Sequence, residues 1–155
     1  MPPFFAWLET TALATTVKDS LLLTGGLSAV HLLGMTLITG GALISNLRLL
    51  GALLPTDDLL TITRAAARGI AVGLVLSVSS GVLMFLARAT AASINPTFQL
   101  KMLLLIAAVA FQFTGHRWAC RHALGRASLR MVGAAGLFLW VGVAAAGAYY
   151  ILLGE

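Results

Sequence analysis

Four long apolar runs alternate with short polar breaks along the chain, at about residues 21–44, 69–87, 98–118 and 131–153. The first keeps its apolar character as far as Leu54. A run of roughly 20 apolar residues suffices to cross the hydrocarbon layer of a bilayer as a helix. The pattern predicts an all-α fold, a transmembrane four-helix bundle forming a single transmembrane domain over residues 1–155. Ahead of the first run stand Phe4, Phe5, Trp7, Leu8, Leu13 and Val17 among few charges. That spacing predicts a short N-terminal helix lying in the membrane interface, where Trp and Phe sit at headgroup depth. The segment is not expected to be a secretory signal. It lacks a basic start, and Glu9 and Lys18 interrupt it.

The breaks carry turn chemistry. Pro55, Thr56, Asp57 and Asp58 end the first run, with Thr56 or Asp57 as caps for a short helix that follows. Asn95 and Pro96 punctuate the second loop, and proline suits the first turn of the third span. The third loop, RWACRHALGR, is basic.

Composition strengthens the membrane reading. The chain of 155 residues is 59% hydrophobic and 10% charged, with mean hydropathy +0.98. Soluble domains carry about 25% charged residues. A small soluble fold has too much surface for its volume to hide so many apolar side chains. The net charge of +5 could suggest nucleic acid, but the cations sit in short loops between apolar runs, which points to membrane orientation instead. Arg48, Arg64, Arg68, Arg117, Arg121, Arg126 and Arg130 fall on one side, and Lys18, Arg88 and Lys101 on the other. Positive residues stay in the cytoplasm. The expectation is a multi-pass protein of the bacterial inner membrane with both termini outside the cytoplasm. Cys120 stands alone, which excludes an intrachain disulfide and a cysteine-built metal site, and an inert thiol is expected. No Asp or Glu falls in any span, which disfavours a proton- or cation-coupled transporter. No P-loop, GxSxG, HExxH or dinucleotide fingerprint occurs in its required context, and no catalytic residue stands out.

His31 is the most informative residue. It lies about ten residues into the first span, roughly 15 Å deep, near the bilayer middle. Ionisable groups at that depth are functional hypotheses by default. A neutral imidazole there can ligate haem iron, or it can hydrogen-bond to a neighbouring helix with no ligand. Gly34, one turn on, removes bulk beside the ring. Lys101 opens the third span and either snorkels to the surface or faces a carboxylate such as a haem propionate, about 10 Å above His31. His116 and His122 lie among arginines, where solvated or headgroup-contacting rings are expected, and His116 is too deep to share one haem with His31. Met35, Met84 and Met102 are the thioethers nearest His31 in depth. Gly69, Gly73, Ser77 and Gly81 share one helix face, which suits close packing or a flat cofactor between helices. Arg48 suits a lipid phosphate or helix carbonyls, and Arg64 with Arg68 the headgroups.

The stretches HLLGMTLITGGALISNLRLLG and NPTFQLKMLLLIAAVAFQFTGHR together resemble a family of small four-span bacterial membrane proteins. More remotely they are similar to HemJ-type protoporphyrinogen oxidases and CopD-like membrane domains. HemJ-type proteins bind haem b, with a histidine in the first span and a lysine opening the third. The resemblance implies that His31 matches that histidine and Lys101 that lysine, with His116 near a further histidine that follows. The leading expectation is a b-type haem-binding membrane protein acting in electron transfer, with a quinone or membrane redox partner. The alternatives are a cofactor-free accessory subunit of a homo-oligomer or larger membrane complex, and a HemJ-like porphyrinogen oxidase.

Overall fold

A computed structural model describes residues 3–54, 56–122 and 124–153, apart from the side chains of Cys120, Ile151 and Leu153. Pro55 and the Cys120 thiol, both singled out above, lie outside the described residues. Seven helices make up the described fold: α1 (Pro3–Glu9), α2 (Ala12–Asp19), α3 (Leu21–Leu50), α4 (Leu59–Leu86), α5 (Ala89–Ile94), α6 (Pro96–Arg121) and α7 (Arg126–Leu153). α3, α4, α6 and α7 are each long and apolar enough to cross a membrane. Their outward faces are those of a lipid-facing bundle: Leu22 is 89% exposed and Phe138 80%.

The spans start and stop where caps permit, not where apolar character fades. α4 begins ten residues before the predicted boundary. Asp58 accepts from Thr61 N at 2.8 Å and from Thr61 Oγ1 at 2.6 Å, so the break caps the span itself, with no separate short helix there among the described residues. Those bonds hold the Asp58 carboxyl below the usual carboxylate range. Asn95 caps α6 by accepting from Thr97 N and Phe98 N, with Pro96 at the first position as the sequence predicts. α3 runs on to Leu50 and ends at Gly51, whose φ of 77° is the left-handed conformation that glycine adopts without strain.

The N-terminal segment forms two short helices, not one. Thr11 interrupts it by capping α2, its Oγ1 accepting from Ala14 N. Glu9 then accepts from Thr90 N at 2.7 Å, which ties α1 to the start of α5. Thr24 Oγ1 donates to the Val17 carbonyl at 2.7 Å and ties α2 to α3.

α3 is the central rod. It packs against α4 on one side and α7 on the other, α6 packs on α7, and α4 and α6 make little contact. The α3–α4 seam is close because glycines face it. A methyl on Gly34 would lie 2.7 Å from the Gly73 carbonyl, and one on Gly73 would lie 2.6 Å from the Gly34 carbonyl. Small faces of this kind let backbones approach in lipid, where no hydrophobic effect drives helices together. The buried line on α4 is Thr63, Ala66, Ile70, Gly73, Ser77 and Ser80, so Gly69 falls beside the seam, not in it. Ile38, Ile70 and Val143 form the fully buried centre where α3, α4 and α7 meet.

Candidate functional site

The sparse contact between α4 and α6 leaves a cavity of about 830 Å³ in the half of the bundle nearer the chain termini. Ligand sites commonly fall at about 300–1,000 Å³. His31 and Lys101 both line it, so the structure brings these two sequence candidates together. Phe85, Phe98 and Tyr150 stand in its wall. Phe85 and Phe98 stack at 5.6 Å between ring centroids, and Phe98 meets Tyr150 at the same distance.

The state of His31 follows from its neighbours. Its Nδ1 lies 2.9 Å from the Ser77 carbonyl and 3.2 Å from Ser80 Oγ. The carbonyl can only accept. The Ser80 hydroxyl already donates to the Leu76 carbonyl at 2.6 Å, so it too offers a lone pair. Nδ1 therefore carries the proton, and Nε2 carries a lone pair. Among the described residues, Nε2 has no hydrogen-bond partner. Ser77 Oγ in turn donates to the His31 carbonyl at 3.2 Å, so the two residues clasp each other across the seam. A methyl on Gly81 would come within 3.2 Å of His31 Cε1, which shows how closely the ring lies on that glycine. A backbone carbonyl fixing one ring nitrogen while the other stays open is the arrangement found behind metal-ligating histidines.

Three cations line the same cavity: Lys18 from α2, Arg88 before α5, and Lys101 from α6. No acidic side chain is among its lining residues. The Lys101 stem crosses Gly147 of α7, where a methyl would sit 3.6 Å from Cε and 3.8 Å from Nζ. Met35, Met84 and Met102 all reach the cavity.

Gly34 and His116 are placed elsewhere. Gly34 is buried in the α3–α4 seam against Gly73 and Ser77, and it is not among the lining residues. Its proximity to Ser77 helps set the carbonyl that His31 binds. His116 does not take the solvated position that its arginine neighbours suggest. It is buried, with 5% exposed, because the helix turns it inward onto Asn46 and Gln112 while Arg117 and Trp118 face outward. His122 is exposed as expected, with its Nδ1 3.0 Å from the Trp118 carbonyl.

His116 belongs to a chain of donors across the core. Trp140 Nε1 donates to Gln112 Oε1 at 3.2 Å, and an indole nitrogen can only donate. That orients the amide, so Gln112 Nε2 donates to His116 Nδ1 at 3.1 Å and to Ser45 Oγ at 3.1 Å. His116 Nε2 must then carry the proton, and it donates to Asn46 Oδ1 at 3.1 Å. Asn46 Nδ2 ends the chain on the Ala42 carbonyl at 2.7 Å. Both ends are fixed, by a group that only donates and a group that only accepts, so the direction cannot reverse. The network ties α3 to α6 and α7 through buried side chains, with no acid in it among the described residues. Trp140→Phe should leave the buried Gln112 oxygen without its donor. An unpaired buried acceptor costs about 1–3 kcal/mol, to be read as lowered thermal stability in detergent.

Residues 4–152 match DUF6644, described as a family of unknown function. The chain belongs to the DUF6644 family. No curated protein and no solved structure matches this DUF6644 chain. Its site is therefore read from its own residues. Several of them escaped the sequence reading. Ser80 orients the imidazole, Gly147 makes room for the Lys101 stem, and Lys18 and Arg88 join the cavity wall. The serines of SVSSG in mid-span were the available signal, since hydroxyls at that depth seek partners on other helices.

Proposed function

We propose that this chain is a b-type haem protein of the bacterial inner membrane that carries electrons, with both termini outside the cytoplasm. The observation that supports it best is the His31 ring, fixed through Nδ1 by α4 and offering Nε2 at a cavity. The donor set fits the group. His31 would hold the iron, and Lys101, Arg88 and Lys18 would face the haem carboxylates. Met35, Met84 and Met102 are the candidates for a second ligand. The haem supplies one-electron chemistry, while the chain supplies burial, orientation and counter-charge. The resemblance to HemJ-type proteins points the same way for His31 and Lys101. The cation asymmetry supports the orientation, with seven arginines at the end opposite the cavity. A cavity bordered by lipid-facing helices suits a quinone or a membrane partner as the electron donor.

The test is an absorption spectrum of the full chain, purified in detergent after expression with haem supplied. A Soret band that shifts on reduction is expected. A folded, colourless preparation would overturn the proposal.

A further inference from the structure

The far end of the bundle holds a second cleft, of about 350 Å³, on the opposite side of the membrane from the haem cavity proposed above. Arg48 from the end of α3 and Arg126 and Arg130 from the start of α7 line it, with Leu50, Leu59 and Leu129. No acidic side chain is among its lining residues. Of the nearby acids, Asp58 caps α4 through Thr61 and its carboxyl also feels the Arg48 charge, while Asp57 meets Arg48 only through its main-chain carbonyl. That carbonyl anchors one Arg48 nitrogen, while Arg48 Nε is buried with no hydrogen-bond partner. A buried guanidinium nitrogen without a partner carries a desolvation cost that an acceptor would remove. Arg126 and Arg130, both exposed, add positive charge beside it. No acid lies in the first turn of α7, where positive side chains meet the positive end of the helix dipole. An anion in the cleft would offset the Arg126 charge at that helix end and give Arg48 Nε an acceptor.

We infer that this cleft binds a phosphoryl group. Guanidinium groups match phosphate oxygens with paired N–H donors. The leucines beside them match acyl chains, so the expected source is the headgroup of an anionic phospholipid in the leaflet on that side. This inference is independent of the haem reading.

The full chain in detergent is titrated with phosphatidylglycerol, with a phosphate-free galactolipid of the same acyl chains, and with inorganic phosphate, bound species being counted by native mass spectrometry. A cleft variant, R48Q/R126Q/R130Q, is compared with R117Q/R121Q. The second removes two exposed arginines from the same end of the bundle. The wild type should prefer phosphatidylglycerol over the galactolipid. The cleft variant should bind it more weakly by about tenfold for each arginine that contributes, and the other variant should keep its affinity. Binding of inorganic phosphate that only the cleft variant loses, with no preference between lipids, supports the same cleft with a soluble ligand. Equal binding by wild type and cleft variant, or equal weakening in both variants, overturns the inference.

Discussion

His31→Ala is expected to remove the Soret band while the bundle stays folded. If His31 ligates the iron, its loss should exceed the roughly 10–100-fold weakening that changes behind a metal ligand cause. The fold should survive, because the Ser77 carbonyl lies inside α4 and keeps its place in the helix ladder. What is lost structurally is one net hydrogen bond between α3 and α4, worth about 1 kcal/mol. Both roles lose that bond, so the spectrum separates them. A ligating His31 loses colour, and His31→Gly should regain it when imidazole is added. A purely structural His31 would leave the spectrum of the purified protein as it was.

Gly136→Ala is expected to be strongly destabilising. The added carbon would overlap Asn46 Oδ1. Asn46 cannot turn aside, because Oδ1 accepts from His116 and Nδ2 donates to the Ala42 carbonyl. Either α7 moves off α3 or the donor chain breaks. Overpacking costs about 1–3 kcal/mol and an orphaned buried group about as much again, so a total of about 2–6 kcal/mol is expected. Gly69→Ala is the matched control, since nothing lies within 4 Å of its added methyl. Thermal unfolding in detergent should separate the two clearly. Equal midpoints would mean that α3 and α7 do not depend on this contact.

The spans were legible because lipid demands long apolar runs, and four such runs have no soluble counterpart at this length. Their ends were less so. The start of α4 is polar enough (TITRAAARG) to read as loop, and a cap at Asp58 extends the helix through it. His31 was legible as a charge-capable group at depth. The identity of its partner was not, since the serine that supplies a main-chain carbonyl looks like any other serine in sequence. His116 misled because linear neighbours such as Arg117 suggest water, while a helix places adjacent residues about 100° apart. Its inward face is shared instead with Gln112, one turn back. Lys18 and Arg88 are far apart in sequence, and only the folding of α1, α2 and α5 over the bundle end brings them to one wall.

One rigid rod carries both His31 and Asn46. Fifteen residues separate them, which is roughly 22 Å along a helix axis. The imidazole's height is thus gauged partly from the far leaflet, where Asn46 is wedged against the α7 glycines. A slip of α3 by even a single residue would carry the ring off its serine cradle and pull Asn46 from its socket together, so the two halves of the protein share one datum.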